Sequence, residues 1–184
     1  MAIGQSRVSR LVLPMSARDH VQGPADAPLA LVEYGDYECP YCGLAHPIVK
    51  HVRRRLGLRL RFAFRHFPLA EMHPHALRAA EAAEAAGAQG KFWEMHDLLY
   101  ANQQALDNPD LLGYAAALKL DVPRFVSELA DRTWEARVRE DFMTGVRSGV
   151  NGTPTFFVNG IRHDGPWDAD SLVEALSVVT PIHA

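Results

Sequence analysis

Cysteine is almost missing from this chain. Only Cys39 and Cys42 occur among 184 residues, which excludes a disulfide-stapled scaffold and a four-cysteine zinc site. Long apolar runs are missing too. No stretch approaches the ~18–20 apolar residues of a membrane helix, so membrane insertion is not expected. Behind Arg7 and Arg10, the run Leu11-Val12-Leu13 is cut by Pro14 and falls short of the roughly 7–15 residues of a signal h-region. A leaderless, cytoplasmic protein is therefore expected. Charge of one sign is not in excess. Lys plus Arg number 19 against 22 Asp plus Glu, a net charge of −3. This argues against a nucleic-acid binder that relies on bulk positive charge. Lysine is scarce beside 16 arginines, a bias that carries no functional reading. There is no internal repeat and no Ser/Gly linker. What is present is globular: 48% hydrophobic and 22% charged residues, in a chain long enough to bury a core without staples.

The patterning gives alternating element types. Leu29 to Tyr34 reads as a strand between a Pro/Gly-rich segment and Gly35-Asp36. A helix is expected from about Pro40 to Leu56, with Leu44, Ile48, Val52 and Leu56 on one face and Gly57 as its stop. Pro47 removes a hydrogen bond to residue 43, so a kink is expected. Leu58, Leu60, Phe62 and Phe64 alternate with Arg59, Arg61, Ala63 and Arg65, the pattern of a half-buried strand. From His75 to about Ser148 the pattern is helical, broken at Gly87, Gly90, Asn108-Pro109 and Asp121-Val122-Pro123. Asn108 and Asp121 read as N-caps with proline in the first turn. Thr155 to Val158 and Ile161 to His163 form a hairpin around Asn159-Gly160. Asp168 is placed to cap a last helix through Val179. A βαβ unit, a helical block and a ββα unit result, with the first two strands parallel.

Cys39-Pro40-Tyr41-Cys42 follows the first of these strands where a helix begins. Backbone N–H groups are unpaired there and the helix dipole is positive, a setting that holds a thiolate and lowers its pKa. The spacing brings both sulfurs within bonding distance on one turn. Cys39 is expected as the exposed sulfur that forms a mixed disulfide. Cys42, more buried, closes or resolves it. Half a zinc site and two structural thiols are the alternatives. Zinc needs two further ligands, and the nearest histidine pair, His73-x-His75, matches no zinc module; no metal is expected.

Two further features stand near this pair in the expected layout. Pro154 in Gly152-Thr153-Pro154-Thr155 opens a strand, an unusual place for proline; an ordinary turn proline is the alternative. Glu33 lies inside the first strand, and a buried acid is costly unless used or paired. Beneath the cysteines, a desolvated Glu33 would have a raised pKa and could take the proton of Cys42. An edge-exposed glutamate is the alternative. Arg53-Arg54-Arg55 and the arginines of the next strand read as solvated or ion-paired surface. Phe92-Trp93-x-Met95 with Leu98-Leu99 reads as helical core, and a structural role is favoured for His66.

The segments APLALVEYGDYECPYCGLAHP, FRHFPL, HPHALRAAEAAEAAGAQGKFWEMHDLLY and GVNGTPTFFVNG resemble the DsbA-like branch of the thioredoxin superfamily, over residues 20 to 179. The resemblance implies an α/β thioredoxin fold carrying a helical domain. Residues 1–70 and 150–184 would form the thioredoxin part and 71–149 the insertion. It implies thiol–disulfide exchange with protein thiols or disulfides through Cys39 and Cys42, supported by Pro40, Tyr41 and the buried acid Glu33. Pro154 would be a cis-proline facing the pair, turning the Thr153 backbone toward an extended substrate. No cofactor is implied. Glutathione or a thioredoxin-type protein would serve as reductant. Known periplasmic members carry Pro-His between the cysteines, whereas Pro40-Tyr41 is typical of glutaredoxins. The chain is more similar to a leaderless subgroup, some of whose members are fused to sodium/proton antiporters. A reduction potential between roughly −120 and −270 mV is expected. A glutathione-dependent, glutaredoxin-like reductase and a redox-sensing binding module are the competing readings.

Overall fold

A computed structural model describes residues 9–178. Val179, the expected end of the last helix, lies outside the described residues, as does Arg7. In chain order the elements are β1 (His20–Gln22), β2 (Leu29–Gly35), α1 (Pro40–Leu56), β3 (Leu60–His66), α2 (Ala76–Gly87), α3 (Phe92–Ala101), α4 (Asn108–Ala117), α5 (Val122–Ala130), α6 (Glu135–Arg147), β4 (Thr155–Val158), β5 (Ile161–His163) and α7 (Ala169–Ser177). The five strands form one sheet in the order β1-β3-β2-β4-β5. β2 and β3 are parallel, as a βαβ unit requires. The other neighbouring pairs are antiparallel. This is a thioredoxin fold with five helices inserted between β3 and β4.

β2 is the central strand, and its alternation sorts the core. Leu29 and Leu31 face the larger cluster, with α1, α2, α3 and α7. Val32 and Tyr34 face a smaller one with Phe67, Val150 and Phe157. Glu33, by the same alternation, points to the larger side. α2 is alanine on nearly every side, with Ala79, Ala82, Ala83, Ala85 and Ala86 all buried. Small side chains all round let it sit among other helices. Asn159 and Gly160 both take positive φ, 49° and 81°, as a two-residue hairpin turn between right-twisted strands demands.

Four expectations are corrected. Leu44 is exposed, and the buried face of α1 runs through Cys42, Ala45, Val49, Val52 and Leu56. Leu58 is exposed too, in a 3₁₀ turn before β3. β3 itself is covered on both faces. Arg65 is fully buried because Asp19 takes its Nε and Nη2 at 2.8 and 3.0 Å, while the Leu13 carbonyl and the Tyr34 hydroxyl take Nη1. Finally, the N-cap of α4 is Asp107 rather than Asn108, since Asp107 and Asp110 form a reciprocal capping box. α1 continues through Pro47 as one helix, from Pro40 to the positive-φ Gly57.

Candidate active site

Cys39 is the N-cap residue of α1 and Pro40 the first helical residue. The loop before it is pinned by Asp36. One carboxylate oxygen accepts from the Glu38 backbone at 2.8 Å. The other accepts from the Leu69 backbone and bonds His73, both at 2.8 Å. From the turn after α3, the Gln103 amide donates to the carbonyls of Tyr37 and Cys39, each at 2.8 Å. Sequence reasoning missed Asp36 and Gln103. A lone polar residue in a loop gives no periodic signal, although Gly43 does mark the place. A Cβ there would stand 2.0 Å from Gln103 Oε1.

Both cysteines are free thiols, in unlike surroundings. Cys39 is 4% exposed, less open than its sequence position suggested, because Thr153 lies over it. Its Sγ reaches the Thr153 carbonyl at 3.4 Å. The Thr153–Pro154 bond is cis. A hydrogen bond from the Cys42 thiol lowers the Cys39 pKa to about 5; burial opposes this, while the Thr153 side chain and the backbone N–H groups of Cys42 and Tyr41 assist. Cys42 is wholly buried. Burial pushes its pKa up, and its hydrogen bond to Cys39 and the charges on Glu33 and Cys39 push the same way. Two thiols three residues apart are thereby made unequal: one is ready to ionise, the other holds its proton.

Glu33 is buried at 2% exposure, and its Oε1 has no hydrogen-bond partner. Burial, then the charge of Cys39, raises its pKa to about 8. Pro40, Tyr41 and Leu44 are exposed around the pair. His66 is buried and bonds Glu84 at 2.9 Å. His73 and His75, the pair weighed for zinc, bond Asp36 and Glu38. Among the described residues, the groups able to hold a cation are His46, His96, Asp97 and His66, Glu84, Asp141. Neither contains a cysteine.

A thioredoxin fold with a Cys-x-x-Cys pair at a helix start, facing a cis X-Pro bond, defines the class of protein. A family model described as thioredoxin matches residues 15–177. The chain belongs to that family. Oxidised BdbD of Bacillus subtilis superposes with a TM-score of 0.80 at 23% identity, covering 92% of this chain and 95% of that one. A thioredoxin-like oxidoreductase from Silicibacter pomeroyi gives 0.77 at 26% identity, covering 87% and 91%. In sequence, the Na(+)/H(+) antiporter NhaA 1 of Salinispora arenicola is 52% identical over 168 residues. That match takes in 91% of this chain and 26% of the relative. The chain thus spans about a quarter of the length of the curated relatives it matches. No described helix is long and apolar enough to cross a membrane.

Proposed function

We propose that the Cys39–Cys42 pair exchanges dithiol for disulfide with substrate proteins, through a mixed disulfide at Cys39. The observation that carries this reading is the unlike setting of the two thiols, Cys39 at the start of α1 beside the cis Thr153–Pro154 bond and Cys42 wholly buried, with the Cys39 pKa lowered to about 5 and that of Cys42 raised. Cys39 thiolate attacks a substrate disulfide, and one substrate sulfur leaves. Cys42 then attacks the Cys39 sulfur, giving up its proton, and the second substrate sulfur departs. Run in reverse, the same steps oxidise a substrate dithiol. Glu33 is the base for Cys42, supported by its burial, its unpaired Oε1 and its pKa near the working range. The Thr153 backbone, beside the cis Pro154, receives an extended substrate segment by strand pairing. Pro40 and Tyr41 shape the exposed rim, and glutathione or a thioredoxin-type protein returns the pair to its dithiol form.

A stabilised thiolate favours the reduced protein and so makes the disulfide more oxidising. A Cys39 pKa of about 5 lies between thioredoxin, at about 7, and the strongly oxidising DsbA, at about 3.5. The corresponding potentials are about −270 and −120 mV, a gap of about 7 kcal/mol. Interpolation gives about −180 mV, in a range of roughly −140 to −230 mV. Equilibration of the pair in glutathione redox buffers, with insulin reduction as the activity assay, tests the proposal. A potential in that range with activity requiring both cysteines is expected. Full turnover of glutathione mixed disulfides by Cys42→Ser would instead favour the glutaredoxin-like reading. A stable partner complex without insulin reduction would favour a redox-sensing module.

A further inference from the structure

Glu33 reaches a second feature besides the cysteines. A cleft with about 10 Å³ of room for water is lined by Gln22 of β1, Glu33 of β2, Phe62 of β3, residues of α1 and residues of α3. That volume holds about one water molecule. At the cleft, ring nitrogens of His46 and His96 and a carboxylate oxygen of Asp97 lie within 4.8 Å of one another. His46 Nε2 is 3.1 Å from Asp97 Oδ1. His96 is buried, with Nδ1 bonded to the Tyr37 hydroxyl at 3.0 Å. His46 is largely buried and Asp97 about half exposed, so the row runs from the buried Glu33 to the surface.

We propose that this cleft is the proton outlet of the redox pair, with His46 as the group that passes the proton to solvent. The inference rests on the exchange reaction proposed above. When Cys42 attacks the mixed disulfide, its S–H proton goes to Glu33. The new Cys39–Cys42 bond forms, the Cys39–substrate bond breaks, and the substrate leaves as a thiolate. The pair loses two electrons and the substrate gains them. While the pair rests as a disulfide, Glu33 exchanges that proton with solvent, and its Oε1 has no protein partner. One water in the cleft bridges its carboxyl to the imidazole of His46, which releases the proton beside Asp97. The groups facing His46 fit this role. Lys50 and Arg53 on α1 and His96, Asp97 and Tyr100 on α3 surround it, with Glu33 across the cleft. Burial lowers the His46 pKa, Asp97 opposes this, and Lys50 and Arg53 assist. On balance these groups favour the neutral imidazole, which relays a proton onward to solvent rather than holding it. The same two cations argue against a resident metal ion at this cluster.

The test uses the whole chain with Cys39 charged as a mixed disulfide with 2-nitro-5-thiobenzoate. Release of that chromophore reports the attack by Cys42. Under weak buffering and repeated turnover, His46→Ala should slow release by about tenfold. Added imidazole should restore it, which lost packing would not allow. In a Glu33→Gln background His46→Ala should add no further loss. Slowing that imidazole leaves untouched, or a full additive loss in Glu33→Gln, overturns the outlet. So does an unchanged His46→Ala rate. Absence of release from the unaltered chain would count against the exchange reaction itself, a result distinct from all of these.

Discussion

Glu33 offers the sharpest energetic test. Its pKa stands near 8 in the folded chain against an ordinary 4.5. A carboxyl with a raised folded pKa stabilises the fold in its neutral form. Its contribution is complete below pH 4.5 and is lost as pH rises toward 8, because the unfolded chain ionises first. At pH 7 the gap is about 2.5 units at about 1.36 kcal/mol each, or about 3 kcal/mol. Above pH 8 the loss levels at about 5 kcal/mol. Glutamine keeps the shape and cannot ionise, at a cost of about 1 kcal/mol for its buried amide at any pH. Urea unfolding of the dithiol form at pH 5 and pH 8 measures the difference. Glu33→Gln should lie within about 1 kcal/mol of the unaltered chain at pH 5 and exceed it by about 3 kcal/mol at pH 8. Since the Cys39 thiolate contributes to the shift, oxidation of the pair should shrink the gap. Parallel stability curves for the two proteins would refute the desolvated, uncompensated Glu33 described here.

Further outcomes follow from the same geometry. Alkylation of Cys39 by iodoacetamide should rise with a midpoint near pH 5 while Cys42 stays unlabelled. A midpoint near the free-thiol value of about 8.5 would remove the thiolate stabilisation. Asp19→Ala strands the buried Arg65 guanidinium and should cost about 3–5 kcal/mol in denaturant unfolding. A loss below about 1 kcal/mol would show that the bonds to the Leu13 carbonyl, the Tyr34 hydroxyl and the Pro14 carbonyl, the last at 3.2 Å from Nη2, suffice. Gly43→Ala drives a Cβ into Gln103 and should slow Cys39 exchange by about tenfold, as should Gln103→Ala, with the double variant no slower than either. Full activity in Gly43→Ala would dismiss the Gln103 clamp.

The elements that carry the chemistry were legible because their signals are local. Leu29 to Tyr34, the CPYC segment, Gly57 and Asn159-Gly160 each announce a strand, a helix start, a stop or a turn by residue type alone. Glu33 was legible through the alternation of β2, which fixes its face. What failed depended on partners distant in sequence. β1 has three residues and no pattern of its own; it exists because β3 offers an edge from Phe62 to Phe64. Arg65 looked like a solvated position in an alternating strand, and only Asp19, 46 residues away, makes its burial tolerable. Leu44 fitted a helical stripe, yet the core lies on the Cys42–Ala45–Val49 side, so the stripe was rotated by about one position. Gln103 and Asp36 hold the active-site loop through backbone bonds, and such bonds leave no mark on residue spacing.

The account rests most heavily on Cys39 as the sulfur that meets the substrate. Trapping tests this directly. Cys42→Ser, incubated with a disulfide-containing unfolded protein, should accumulate an adduct that peptide mass spectrometry places at Cys39 and that dithiothreitol releases. Cys39→Ser should give none. An adduct formed at Cys42 in Cys39→Ser, at a rate matching that of Cys42→Ser, would contradict the unequal thiols from which the mechanism is built.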